Sequence, residues 1–238
     1  PSYENKNQLF STNIEIALKA QSEALCLELG QDNKVIHQKI KAGLGTAKEW
    51  VLIGGPPCQA YSLVGRSRLK GKKLSPRTIE QSSLYKEYLE ILDQHAPPVF
   101  IMENVKGLLS AKSAKDNIFN KIINDLRNPA MALPRNSGKL KNSSYKIFSL
   151  IQNQNSNQLS FFGSDCPPAS YVVKCEEFGV PQARHRVILL GIRSDIDVIP
   201  QPLVKSLEEI TLWEVIKDLP KIRSKTSKEQ DSANNWIN

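Results

Sequence analysis

The chain has 238 residues, and its 32 Lys and Arg against 24 Asp and Glu give a formal net charge of +8. Apolar residues make up 40% and charged residues 24%, which is typical of a globular chain and excludes a disordered acidic or low-complexity protein. The length suits one large α/β domain or one and a half smaller ones. The positive excess favours a polyanionic partner.

Membrane, secretory and metal-binding classes find no support in the sequence. No run of about 18 apolar residues is present, so we expect no transmembrane helix and no membrane partner. No basic segment followed by an apolar one opens the chain, so we expect no secretory signal. The four Cys and three His show no C-x-x-C pair and no zinc spacing. We therefore expect no metal, no disulfide scaffold and a reducing, cytoplasmic compartment.

Two helices and a strand are predicted in the first quarter of the chain. Apolar residues at near-helical spacing predict a helix over 12–29, which Gly30 would end, and a second helix over 33–42. The apolar run 50–53 stops abruptly at Gly54 and the Gly-Pro-Pro that follows it. A run of that length, bounded by Gly and Pro, is typical of a buried parallel strand.

The remaining predicted elements alternate between helix and strand. They are a helix over 79–94, a strand at 99–102, a helix over 114–127, a strand over 145–150, a polar loop or insertion at 151–168 and a strand over 187–192. Such alternation predicts an α/β fold with an open, mostly parallel sheet and helices on both faces. Because ligands of such sheets bind beyond the carboxyl ends of the strands, we expect 54–58 and 103–104 to face one crevice.

Cys58 follows the strand 50–53 on a turn that two prolines make rigid and two glycines make accessible. A thiolate there is a candidate nucleophile, although a lone Cys is more often a small buried apolar residue. Its place at the end of a strand, rather than inside one, favours the nucleophile.

Glu103 ends the second predicted strand, which is otherwise Val-Phe-Ile-Met. A carboxyl group at that junction is partly withdrawn from water, which suits a proton donor. The alternative is an ordinary acidic residue at a helix N-terminus, satisfied by backbone N–H groups.

Two basic features complete the candidate site. Gln182, Arg184 and Arg186 alternate just before the strand 187–192, and an extended segment would place all three on one face, with His185 on the other as a structural residue. Such a set can hold a base edge and phosphates, although it can also be a solvated edge. A basic run, made of Arg66, Arg68, Lys70, Lys72 and Lys73, is either a contact with nucleic-acid phosphates or a solvated loop.

Three segments together resemble the DNA (cytosine-5)-methyltransferase family. They are Gly54-Gly-Pro-Pro-Cys-Gln-Ala-Tyr-Ser62, Met102-Glu-Asn-Val-Lys-Gly107 and Phe178-Gly-Val-Pro-Gln-Ala-Arg-His-Arg-Val187, and they stand in the family's order. A weaker match, Trp213-Glu-Val-Ile-Lys-Asp-Leu-Pro220, resembles the segment leading into the target recognition region. The resemblance covers about residues 48–220.

The resemblance implies methylation of C5 of cytosine in double-stranded DNA, with S-adenosylmethionine as cofactor and the base flipped out of the helix. Cys58 matches the nucleophile that adds to C6, and Glu103 matches the acid that hydrogen-bonds N3. Addition makes C5 nucleophilic enough to take the methyl group. Loss of the C5 proton and elimination of the thiolate then release the product. Arg184 and Arg186 match arginines that hold the base and order the active site.

Further positions match supporting parts of the family's site. Those that match substrate-binding positions are Pro57, Gln59, Ser62, Asn104 and Gln182. Pro57 and Leu84 also resemble positions that line the cofactor pocket. The resemblance implies a partial, Rossmann-like methyltransferase domain over 1–200, with the insertion at about 151–168, and a segment 201–238 that leads toward a target recognition domain.

The sequence departs from the family at both ends. No Phe-x-Gly-x-Gly cofactor loop precedes residue 43, and the recognition region and final helix are absent from the sequence. We therefore expect a fragment of a longer enzyme, which alone binds cofactor poorly and methylates nothing. The expected setting is a bacterial or phage modification enzyme, with a cognate restriction endonuclease as its partner in the system.

Two other classes of protein remain open. One is a non-catalytic DNA-binding or regulatory part of a split or degenerate methyltransferase, which would not need Cys58, Glu103 and Arg184 together. The other is a Cys–His hydrolase, which would need His95 or His185 beside Cys58 and offers no role for Glu103.

Overall fold

The computed structural model describes residues 11, 13–56, 85–110, 118–133, 143–151 and 166–219. The chain divides into two compact units, one of Pro1–Val173 with Arg186–Pro202, the other of Lys174–His185 with Leu203–Asn238. Parts of three predicted elements, at 79–84, 114–117 and 152–165, lie outside the described residues.

A mixed sheet forms the centre of the first unit. Its strands are β1 (Val51–Gly54), β2 (Val99–Val105), β3 (Tyr145–Phe148), β4 (Val172–Lys174) and β5 (His185–Arg193). The order is β1-β2-β5-β3, with β4 also paired to β5. β1 runs parallel to β2, whereas β5 runs antiparallel to both β2 and β3. The α/β class is confirmed, but the described sheet is mixed rather than mostly parallel, because an apolar run indicates that a strand is buried and not which way it points.

Two helices precede the sheet, α1 (Ile14–Glu23) and α2 (Asn33–Leu44). α1 ends six residues before the predicted Leu29. None of its residues is buried, and a helix shorter than about 12–15 residues that lacks a packed face is marginal in water. α2 runs two residues beyond the predicted end, and it stops at Gly45, whose φ of +50° suits glycine.

Polar contacts join α2 to the next helix, α3 (Tyr85–His95). His37 Nδ1 lies 2.8 Å from His95 Nε2. Asn33 Nδ2 donates to Glu87 Oε2 at 2.7 Å and to Glu90 Oε2 at 3.1 Å. Although no residue of α2 is fully buried, these hydrogen bonds connect the helix to α3.

The main core lies between one face of the sheet and the helices α3 and α4 (Ile118–Arg127). In β2, Phe100 and Met102 point into this core and are 0% and 1% exposed. A smaller cluster lies on the other face, where Phe148, Leu190 and Ile192 pack with Val99 and Ile101. Because side chains alternate along a strand, Glu103 belongs to this second face.

Both strands that border the candidate site are longer than predicted. β2 continues three residues past 102, and β5 begins two residues before 187. The two extensions pair with each other, since Asn104 lies opposite Val187 and Val105 opposite Arg186. Glu103 and Asn104 are therefore inside β2, where strand pairing holds their backbone, and not in the segment that follows it.

The second unit is built from short elements. A 3₁₀ turn over Cys175–Phe178 ends at Gly179, whose φ is +78°. The remaining described helices are α5 (Pro129–Ala132) and the 3₁₀ helices Lys106–Ser110 and Pro168–Tyr171 in the first unit, and α6 (Leu212–Ile216) in the second. Thr211 and Glu214 form a capping box at the start of α6. In the described part of the chain, every helix is too short or too polar to cross a bilayer.

Candidate active site

An ion pair marks the end of β2 where the candidate crevice was predicted. Arg186 Nε lies 2.7 Å from Glu103 Oε1, with the two side chains 20% and 39% exposed. Arg186 is opposite Val105 in the antiparallel ladder, and Glu103 is opposite Ile188. The two residues are thus diagonal neighbours on one face of the sheet, within reach of long side chains.

The second oxygen of the same carboxylate lies against the backbone that leaves β1. A Cβ placed on Gly55 would stand 3.3 Å from Glu103 Oε2. Gly55 therefore allows a close approach that a side chain would crowd. Glu103 is held between the Arg186 guanidinium and the segment that leads to Cys58.

Asn104 ties the end of β1 to β2. Its Nδ2 donates to the Pro56 carbonyl at 3.3 Å, and its Oδ1 accepts from the Val105 N–H at 2.8 Å. The side chain is buried, at 5% exposed, where hydrogen-bonding groups need partners. The sequence predicted a supporting role for Asn104 and for Pro57, and the carbonyl that Asn104 holds belongs to the residue before Pro57.

Tyr88 of α3 supports the end of β1 from behind, a contact that the sequence analysis did not anticipate. A Cβ on Gly54 would stand 2.5 Å from Tyr88 Cε2, so the ring packs directly on the glycine. Tyr88 Oη donates to the Ile101 carbonyl at 3.2 Å. Burial raises the pKa of Tyr88 well above its usual range, so the hydroxyl remains a donor. The helical pattern of the sequence places Tyr88 only on the apolar face of its helix. The sequence signal for this contact was Gly54, because a glycine at the end of a strand allows another group to approach closely.

Gln182 and Arg184 do not share the strand of Arg186. Both are exposed, and both precede β5. The Gln182 N–H donates to Val180 O at 2.7 Å, and the Arg184 N–H donates to Gln182 O at 2.7 Å. Bonds to the residue two before are typical of tight γ-turns. The segment is therefore not extended throughout, so the extended backbone on which the predicted single face depended is wrong for Gln182 and Arg184.

The two histidines considered for a hydrolase, His95 and His185, each contact another side chain among the described residues. His185 Nε2 lies 2.6 Å from Glu176 Oε1. Hydrogen bonds from its own backbone and from His185 hold the pKa of Glu176 below its usual range. His95 contacts His37, as described above. The contact with Glu176 agrees with the structural role predicted for His185.

Several predicted site residues lie outside the described residues. They are Pro57, Cys58, Gln59, Ser62, Arg66, Arg68, Lys70, Lys72, Lys73 and Leu84. Among the residues that the structure does describe, no group of three or more His, Cys, Asp or Glu is arranged to hold a metal ion.

Two curated relatives show the kind of protein that this chain resembles. The Type II methyltransferase M.Bpa9945I of Bacillus paralicheniformis is 31% identical over 179 residues, which cover 74% of this chain and 33% of the relative. The Type II methyltransferase M.BbvI of Brevibacillus brevis is 34% identical over 169 residues, which cover 70% and 34%. The chain thus spans about a third of the length of these relatives.

Comparison with solved structures and with protein families adds two findings. A prophage-encoded DNA modification methyltransferase from E. coli superimposes with a TM-score of 0.45 and 20% identity, over 79% of this chain and 40% of the other. The family described as C-5 cytosine-specific DNA methylase matches residues 30–131 and 127–238. Since these matches cover most of the sequence, the chain belongs to the C-5 cytosine-specific DNA methylase family.

Proposed function

We propose that this chain provides the base-binding and nucleophilic part of an enzyme that methylates C5 of cytosine in double-stranded DNA. The observation that carries the proposal is the placement of Glu103 between Arg186 and Gly55. We assign residues 1–200 to the methyltransferase domain and 201–238 to the segment leading toward target recognition. Because the chain spans a third of its relatives, the activity belongs to the full-length enzyme, and the chain alone is expected to be inactive.

The position of Cys58 in the sequence supports its role as the nucleophile. Cys58 is three positions after Gly55, and three residue steps span at most about 11 Å. Gly55 itself lies against the Glu103 carboxylate. A pyrimidine ring that bridges the sulfur and the carboxyl group fits a separation of this size.

The proposed reaction begins with addition of the Cys58 thiolate to C6 of an extruded cytosine. As the S–C6 bond forms, a proton on Glu103 Oε2 is shared with N3, and the electron pair of the C5–C6 bond becomes available at C5. C5 takes a methyl group, which S-adenosylmethionine would supply from its sulfonium with a neutral thioether as leaving group, and then loses its proton to a base. The C5–C6 double bond re-forms, and the thiolate leaves.

Arg186 positions this chemistry rather than transferring a proton. It engages Oε1 of Glu103, which leaves Oε2 as the oxygen for the base. We assign Arg184 and Gln182 to the base and its phosphates, and Gln59 and Ser62 to the loop that closes on DNA. The basic run of Arg66, Arg68, Lys70, Lys72 and Lys73 would neutralise backbone phosphates, so that binding weakens as salt rises.

S-adenosylmethionine is the cofactor that the family implies, and it would supply an electrophilic methyl group. Its proposed lining residues, Pro57 and Leu84, adjoin the end of β1 and the start of α3. The packing of Tyr88 on Gly54 brings these two elements together. The described residues are thus compatible with a cofactor pocket that both elements border.

The cellular setting follows from the substrate and from the relatives. An enzyme acting on chromosomal or phage DNA works in the cytoplasm of a bacterium, and the relatives are named Type II methyltransferases. We propose a restriction–modification system, in which a cognate endonuclease cuts the unmethylated site.

A mechanism-based substrate tests the proposal. The full-length enzyme is incubated with S-adenosylmethionine and a duplex containing 5-fluorocytosine, whose C5 fluorine cannot leave as a proton does. We expect a covalent protein–DNA adduct that survives denaturation. Cys58→Ser should abolish the adduct and keep duplex binding.

Cys26→Ser is the matched control, because Cys26 is an exposed thiol far from Cys58 in sequence, and it should form adduct normally. Loss of both adduct and DNA binding in Cys58→Ser would make Cys58 a packing residue. Salt-sensitive duplex binding with no adduct from the wild type would favour the binding-only alternative.

A further inference from the structure

A polar cavity lies beside α4, on the core side of the sheet. Its volume is about 130 Å³, and its polar or sulfur-containing lining residues are Asn120, Asn124, Arg127, Cys166 and Tyr171. This space exceeds what one water molecule needs. The three α4 residues are spaced for one helix face, and Phe119 packs on the Tyr171 ring at a centroid distance of 5.4 Å.

Arg127 has a buried donor that no described residue satisfies. Its Nη2 is buried and makes no hydrogen bond within the part of the chain that the structure describes. Its Nη1 reaches Asn124 Oδ1 at 3.4 Å, which is long for such a bond. Withdrawing a guanidinium N–H from water without an acceptor is costly, and such groups in native proteins normally have a partner.

The other lining groups also suit a ligand that accepts hydrogen bonds. Burial raises the pKa of Tyr171 to about 12, with the Cys166 thiol adding to the shift and Arg127 opposing it. The hydroxyl is therefore protonated at neutral pH. Asn120 and Asn124 can donate through their amides. None of the described lining residues is acidic. Asp125, also on α4, forms an ion pair with Lys121 at 3.1 Å and accepts a hydrogen bond from the Tyr85 hydroxyl at 2.8 Å.

We propose that this cavity binds a small tetrahedral oxyanion of the phosphate class, with Arg127 as its main ligand. Such an anion has several acceptor oxygens and would satisfy Arg127 Nη2 directly. The site is separate from the candidate active site, because α4 packs on the face of the sheet opposite Glu103. The anion is either free phosphate or a phosphate group of a nucleic acid, which present the same oxygens.

Titration calorimetry with inorganic phosphate tests the site on the chain as it stands. Wild-type protein should bind one phosphate per chain. Arg127→Met should bind at least tenfold more weakly, which corresponds to about 1.4 kcal/mol. Lys121→Met removes the same charge from the same helix outside the cavity, and its affinity should equal that of the wild type. Equal affinity of Arg127→Met and the wild type would overturn the proposal.

A second variant keeps the test decisive if Arg127→Met folds poorly. Asn120→Asp places a carboxylate at the cavity wall, so it should repel phosphate and lose binding while remaining folded. Undiminished phosphate binding by Asn120→Asp would also contradict the site. Displacement of phosphate by a short duplex would identify a nucleic-acid phosphate as the natural ligand. If the duplex did not displace phosphate, the natural ligand would be a free anion. The readout is binding, so its failure leaves the proposed methyltransferase function untouched.

Discussion

Arg186 and Glu103 meet diagonally across the antiparallel pairing of β2 with β5, and 2.7 Å separates Nε from Oε1. Both side chains are partly buried, at 20% and 39% exposed. The pair exists because both strands extend beyond their apolar runs and continue to pair. It places a charge pair at the carboxyl end of β2, next to the carboxyl end of the parallel strand β1, after which Cys58 follows in the sequence.

Breaking this ion pair should affect chemistry more than folding. An exposed or half-exposed pair contributes under about 1 kcal/mol, so Glu103→Gln and Arg186→Met should each unfold at nearly the wild-type denaturant concentration. Adduct formation by the full-length enzyme should slow by about 100-fold or more, the range for loss of a proton-transferring group or its positioning. Denaturant titration and single-turnover adduct kinetics measure the two effects.

The pair of Arg193 with Asp195 supplies the control for that comparison. It has the same 2.7 Å separation, at the other end of β5. Asp195→Asn should therefore leave adduct kinetics unchanged. If Glu103→Gln and Asp195→Asn behaved alike in both measurements, Glu103 would have no special role.

Asn104→Ala should loosen the end of β1. The variant loses the donor that holds the Pro56 carbonyl and the acceptor for the Val105 N–H. We expect a loss of about 1 kcal/mol of stability and slower adduct formation, with duplex affinity retained. Asn13→Ala, at an exposed asparagine whose side chain makes no capping hydrogen bond, should leave adduct kinetics intact. A normal rate in Asn104→Ala would show that this tether is dispensable.

Gly54→Ala should destabilise the protein through its contact with Tyr88. The added Cβ would stand 2.5 Å from the ring, and overpacking of this kind costs about 1–3 kcal/mol. Gly43→Ala is the matched control, because it lies in α2 with nothing within 4 Å of a new Cβ. That change should stabilise by about 0.5–1 kcal/mol. Thermal unfolding of both variants should show shifts of opposite sign.

Stability should fall in alkaline solution because of buried tyrosines. Burial raises the pKa of Tyr88 and of Tyr145 well above the usual range. The folded protein therefore keeps protons that the unfolded chain loses above about pH 10, so this stability is present below pH 10 and declines as pH rises beyond it. Denaturant titrations from pH 8 to 11 should show the decline, with a shallower slope in Tyr145→Phe. A slope identical to wild type would show that Tyr145 does not contribute.

The main helices and strands could be predicted from local sequence patterns, but the residues at which they end could not. The apolar runs at 50–53 and 187–192 predicted buried strands, and both segments form strands. The predicted burial was wrong for β1, which lies at the end of the described strand order with Val51 and Ile53 50% and 72% exposed. The carboxyl end of β2 extends beyond the apolar run 99–102, because Glu103 and Asn104 are polar and pairing with β5 keeps them in the strand. α1 was predicted too long because its apolar residues find no surface on which to pack.

The amino-acid sequence by itself determined the order of helices and strands, the family and the residue types of the candidate site, because these depend on local composition and short motifs. Only the tertiary structure decided that Glu103 contacts Arg186, that Asn104 holds the Pro56 carbonyl and that Tyr88 packs on Gly54. Each of these contacts joins elements distant in the chain. Their geometry depends on strand register and core packing, which no local pattern encodes.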